Sequence, residues 1–447
     1  MSPAAYGILL APPAHGVGSR SDLPLPFGVL VVSALAALLI SFLAIGTLWR
    51  EPRLSTTQGL RLPAPLAAVL GSRWPRRLAH VLSVALTLWT LAALLAGPDN
   101  ARNPVPHVVY VWLWVGLAFA SMLLGPVWRV INPVRLLHTG LLRLARVAPD
   151  TAVLPYRAGW WPAAVGLGLF TWVELVADEN TSIPFLRLLV LGYLLVSVLA
   201  AGLFGRDWFD RGDPLEAWSR LLGALSPIGR RHDAHWVLRT PLHGVNELRA
   251  ERGLVATVSV MLGSTAYDGF SANLSWATFV QTSAVPAWAL KTATLLGFFA
   301  AVAVTLWIAS VVSMALAGKG TAESFHFVSD IAPSLIPIAG GYLVAHYYSL
   351  FVYQAPVGLA LLSDPLGTGA DLLGTAGITP NTALVQATLV ATIQAVSIVA
   401  GHLLGVLAAH ERAVTVLDRR AAVIGQIPLM VVMLFYTFAG LTILFAP

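Results

Sequence analysis

Apolar residues gather in runs that recur along the whole chain, over 27–49, 77–96, 108–128, 161–177, 185–205, 253–270, 288–316, 331–353, 384–409 and 426–445. Each run is long enough, or nearly so, to carry a helix across about 30 Å of hydrocarbon at 1.5 Å per residue. The pattern predicts an all-α fold, a polytopic transmembrane bundle of about ten spans. The run over 253–270 is the most polar of them. The polar stretch 206–252 is the natural joint of the chain, with five spans before it (27–205) and five after it (253–447). An odd number of spans per half makes the halves opposite in topology, as an inverted repeat requires. Residues 1–26 read as a turn-rich lead-in. As a signal peptide this segment lacks a basic start and a clean small-residue cleavage site.

Composition supports this class. Of the 447 residues 57% are hydrophobic and 11% charged, against about 25% charged in soluble domains. Mean hydropathy is +0.76. The net charge of +6 points to inner loops and anionic lipid headgroups, not to nucleic acid. With the N-terminus outside, the inner loops hold 23 of the 27 Lys and Arg residues. This places both termini on the extracytoplasmic side. Two inner stretches, 133–148 and 214–225, place leucines on one helical face. Leu137, Leu141 and Leu144 line the first, and Leu215, Trp218, Leu222 and Leu225 the second. Both are expected as interfacial helices on the membrane. The chain has no cysteine, which excludes disulfides, thiolate metal ligands and iron–sulfur clusters.

Ionisable residues inside the apolar runs are the candidates for chemistry, because a charge at bilayer depth costs about 2.5–3.5 kcal/mol or more. Counted from the inner helix ends, Glu174, Asp268 and His346 all lie roughly 20–22 Å up. Two carboxylates and an imidazole at one depth suit a divalent metal such as zinc, or a proton relay. Tyr342, one turn before His346, could donate to a developing oxyanion. His402 falls about 12 Å lower and belongs to a second polar layer. His326 and Asp330, spaced four apart on one helical face, belong with it. No phosphate-binding glycine loop, HExxH or GxSxG motif occurs.

The lead-in Ala14-His15-Gly16-Val17-Gly18-Ser19-Arg20-Ser21-Asp22-Leu23-Pro24-Leu25-Pro26 directly before the first span resembles that of the actinobacterial membrane proteins known as fenitrothion hydrolases. The likeness extends more loosely to length and span layout. It implies a bacterial cell membrane and hydrolysis of an organothiophosphate ester, and it brings no catalytic residues with it. Three functions are therefore expected as alternatives. One is a metal-assisted hydrolase of an apolar (thio)phosphate ester, using Asp268, His346, Tyr342 and Glu174. Another is a secondary transporter or ion-coupled permease with intramembrane His and Asp sites. The last is a non-catalytic scaffold or partner subunit.

Overall fold

The computed structural model describes residues 20–49, 51–54, 59–148, 151–231, 233, 235–417 and 424–445. The lead-in up to residue 19 lies outside them. Helices form at all ten predicted positions. They are α1 (Phe27–Leu48), α2 (Arg73–Ala96), α3 (His107–Leu124), α5 (Trp161–Leu175), α6 (Ile183–Phe204), α8 (Leu254–Ser271), α9 (Ala287–Leu316), α11 (Ile336–Leu361), α12 (Ala387–Val416) and α13 (Ile427–Leu444). Between them lie α4 (Pro133–Leu144), α7 (Pro214–Gly223) and α10 (Thr321–Ile331). Among the described residues, eight stretches are long and apolar enough to cross a membrane, α10 and α11 counting together. The two outside that set are α5, only 15 residues long, and the more polar α8. Helix α5 stops just after Glu174, where the Asn180 side chain donates to the Glu174 carbonyl at 2.7 Å.

Burial separates a centre from a rim. In the most apolar part of Thr321–Leu361, 78% is buried inside the protein, against 11% for α2. Helix α2 exposes Leu78, Val81, Leu82 and Leu88, as a lipid-facing helix does. Helix α8 is buried on nearly every side and packs on α5, α9, α11 and α13. Arg20 donates to the Phe445 carbonyl at 2.7 Å. The two ends of the described chain therefore lie side by side.

The α11–α12 seam depends on small residues. A Cβ on Gly341 would stand 2.4 Å from the Ser397 carbonyl oxygen and 3.0 Å from the Gly401 Cα. Close glycine contact is how helices associate where lipid is as apolar as leucine. Before this seam, Pro333 removes a backbone donor, and the chain tightens into a 3₁₀ turn over Ala332–Leu335. Gly341→Ala is expected to cost about 2 kcal/mol by overpacking, read as a lower unfolding temperature in detergent. Gly297, with nothing within 4 Å of its Cβ position, should accept Ala without loss.

Three features depart from the expected pattern. A small antiparallel sheet of order β1-β3-β2 joins β1 (Leu60–Arg61), β2 (Ile228–Arg230) and β3 (Trp236–Leu238); its strands are too short to show an alternating pattern. Helix α4 exposes Leu137, Leu141 and Leu144, but the matching face of α7 turns into protein. There Trp218 stacks on Trp114 at 4.1 Å and 8°, and Leu221 and Leu222 are buried with it. The stacked indoles gain an aromatic contact that lipid would not supply.

Finally, a repeat spans the first half and the start of the joint. Helices α3 and α6 both end at a glycine of positive φ, Gly125 and Gly205. Each is followed by Trp128 or Trp208, and then by Asn132-Pro133 or Asp213-Pro214, which start α4 and α7. The second copy has one extra residue, absorbed as a π turn. Asp213 N bonds the Trp208 carbonyl at 2.9 Å, where Asn132 N bonds that of Trp128 at 2.7 Å.

Candidate functional site

Helices α8 and α11 cross in the middle of the buried bundle. Asp268, one turn from the end of α8, faces His346 and Tyr347 of α11. His346 Nε2 lies 2.9 Å from Asp268 Oδ2, and the Tyr347 hydroxyl donates to the same oxygen at 2.7 Å. Asp268 is 4% exposed, and His346 and Tyr347 are each 1%. A carboxylate this deep is retained only when paired and hydrogen-bonded, and charge-assisted bonds of this kind are the strong ones. The Tyr347 ring meets the imidazole edge-on at 4.8 Å. One turn away, Tyr342 stacks beside His346 with ring centres 6.2 Å apart.

Gly269 makes room for Tyr342. A Cβ there would stand 2.4 Å from the Tyr342 hydroxyl, which is buried without a hydrogen-bond partner among the described residues. The phenol thus reaches the α8 backbone one residue from Asp268. Gly269→Ala is expected to push Tyr342 out of its stack on His346 while Asp268 stays in place. Tyrosine fluorescence will not resolve this among ten tyrosines, but the histidine side-chain NMR shift of His346 will move.

Glu174 comes from α5. It lies near enough to Asp268 and Tyr347 for their charges to interact, and one of its carboxylate oxygens is buried without a partner among the described residues. Tyr110 of α3 is close to it as well and donates to the Asn180 carbonyl at 2.7 Å. The residues His107–Gly116 around Tyr110 form a π-helix, a rare geometry that gathers at functional sites. The three residues expected at one depth are therefore brought together, with Asp268 and His346 in direct contact. The set forms a hydrogen-bonded network. Asp268 Oδ2 is shared by two donors at hydrogen-bond distance, and among the described residues no three His, Asp or Glu side chains converge to hold one ion.

The second layer is divided. His326 is exposed and interacts with Asp330, which also feels Arg412 of α12. His402 is buried, and its Nδ1 lies 2.8 Å from the Ile398 carbonyl of its own helix. It sits two turns inward of the His346 level, since Gly401 packs on Pro337 and Gly341, and Gly405 on Ile338 and Ser334.

Two further clusters hold buried carboxylates. Glu411 is fully buried and accepts from Trp49 Nε1 at 3.0 Å, Arg53 N at 2.8 Å and Leu54 N at 2.7 Å. At the base of the repeat, Arg135 reaches Glu216 at 2.5 Å and Asp210 at 2.8 Å. Asn132 and Tyr193 meet Asp213 there, at 3.4 and 2.9 Å. Burial pushes the Glu216 carboxyl up to about 7, against the pull of Arg135. For Asp210, burial works against the charge, but Arg135, Arg129 and Arg206 together hold it below the ordinary carboxylate range.

Tyr347 was missed, because a face-sharing rule along one helix discards the neighbour of a chosen residue. Adjacent residues can still converge on one acceptor across a helix pair. No family model matches the chain, and neither the curated proteins nor the solved structures hold a match to it.

Proposed function

We propose that this chain is a proton-coupled membrane permease for a small solute, with Asp268, His346 and Tyr347 as its proton-carrying set. The observation that carries this reading is the single carboxylate oxygen shared by an imidazole and a phenol at the centre of an apolar bundle. A proton can rest on His346 or on Asp268 and pass between them over 2.9 Å without repacking the helices. Intramembrane chains of Asp, Glu and His are the usual material of proton relays, and Glu174 adds a second carboxyl beside the first. A scaffold has no need of such a pair, since small residues such as Gly341 and Gly401 hold helices together without a buried charge.

A second reading is favoured by the carboxylate-oriented imidazole with Tyr342 beside it. This arrangement suits a general base that activates water against a (thio)phosphate ester arriving from the lipid. His346 would take a proton from water as the water oxygen adds at phosphorus, the phosphorus–oxygen bond to the aryloxy group would break, and the aryloxide would take up that proton and leave as the phenol.

The two readings separate in one preparation. Protein in lipid vesicles loaded with a pH-sensitive dye is exposed to a panel of small solutes. The permease reading expects at least one solute to drive proton entry that empty vesicles lack. Release of a phenol from an organothiophosphate, with no solute-linked proton movement, would replace that reading with hydrolysis.

A further inference from the structure

Helix α7 lies between the buried site and one end of the bundle. Its C-terminal end is tucked beneath α3, where a Cβ on Gly223 would stand 2.7 Å from the Pro126 backbone nitrogen. Ser219 bonds Ser121 Oγ at 2.8 Å and accepts from Trp128 N at 3.0 Å. Trp218 stacks on Trp114 and donates to its carbonyl at 3.1 Å. The Trp114 indole in turn lies beside the Tyr347 hydroxyl, which donates to Asp268. A continuous set of contacts therefore runs from the Asp268 carboxylate, through two indoles, into α7.

The other end of α7 is fastened by charge. Its first turn carries Asp213 and Glu216, and these meet Asn132 and Arg135 in the first turn of α4, the equivalent helix of the repeat. The two copies thus grip one another at matching positions, cap against cap and third residue against third residue. The segment leading into α7 has the means to pivot. It leaves α6 at Gly205, with φ of 61°, and passes through the π turn over Trp208–Gly212.

We propose that α7 is the gate on this side of the Asp268–His346 site, and that the Arg135–Glu216–Asp210 contacts are its latch. This rests on the reading that the site exchanges protons with the ends of the bundle. Releasing the latch lets α7 swing at Gly205 and the π turn, withdraws Trp218 from Trp114 and opens the floor beneath Tyr347. Hinge closure about a few element-terminal residues is an ordinary form of such a switch.

The absence of cysteine makes the test direct. Ser264, buried on α8 one turn inward of Asp268, is replaced by Cys. Its modification by a membrane-impermeant thiol reagent is followed in vesicles from each face separately. The parent Ser264→Cys protein should react slowly. Adding Glu216→Gln, or separately Arg135→Gln, should speed modification about tenfold, within the usual range of coupling between sites, and from one face only. Equal rates in parent and Glu216→Gln would overturn the proposal, as would faster reaction from both faces, which signals a loosened fold. Glu216→Gln keeps size and shape, so the test survives if Arg135→Gln does not fold. The infrared signature of Asp268 described below does not depend on the latch, so failure of the gate leaves the proton site standing, and the converse is equally visible.

Discussion

Asp268→Asn is expected to leave a folded protein that has lost at least about a hundredfold of its solute-linked proton movement, the lower end of what a positioned acid–base group supplies. The amide keeps the shape of the carboxyl and can still accept from Tyr347, but it cannot hold the transferable proton. Tyr347→Phe removes one of the two donors on Asp268 Oδ2 and leaves the His346 contact. A hydrogen bond to a charged group contributes about 1.5–3 kcal/mol, so this variant should lose about tenfold or more. His346→Ala should match Asp268→Asn, because either change breaks the same transfer. The check is dye acidification in vesicles, beside size-exclusion profiles showing that the variants fold.

The second large effect concerns stability, away from the site. Glu411→Ala should destabilise the protein by about 1–3 kcal/mol, because it takes the shared acceptor from three part-buried donors. The stranded groups are the Trp49 indole N–H and the backbone N–H groups of Arg53 and Leu54. The neighbouring His410 holds the same corner, with Nδ1 2.8 Å from Gln426 Oε1 and Nε2 2.7 Å from the Trp49 carbonyl. Glu411→Gln retains one acceptor oxygen and should cost less than Ala. Unfolding temperature in detergent decides this, and proton movement by the surviving folded fraction should be unchanged.

The positions of the spanning helices were legible because twenty apolar residues in a row have few other uses. The meeting of Asp268 with His346 was foreshadowed by their equal depth, since 1.5 Å per residue turns a count along a helix into a height. What could not be read were contacts that depend on which helices become neighbours. Leu215, Trp218 and Leu222 give α7 an apolar face, and that pattern is the same whether lipid or Trp114 covers it. The contacts of Glu411 could not be read locally, because its donors lie more than 350 residues away along the chain. The repeat around Asn132 and Asp213 was obscured by the extra residue of its second copy, which the π turn absorbs.

The central claim is that Asp268 and His346 take up and release a proton inside the bundle. It is tested most directly by infrared difference spectra between acidic and alkaline pH, recorded on the protein in lipid. The wild type should show a protonated-carboxyl band together with an imidazole change, and both should vanish in Asp268→Asn. Identical difference spectra from the wild type and Asp268→Asn would mean that no proton is exchanged at this pair and would contradict the account.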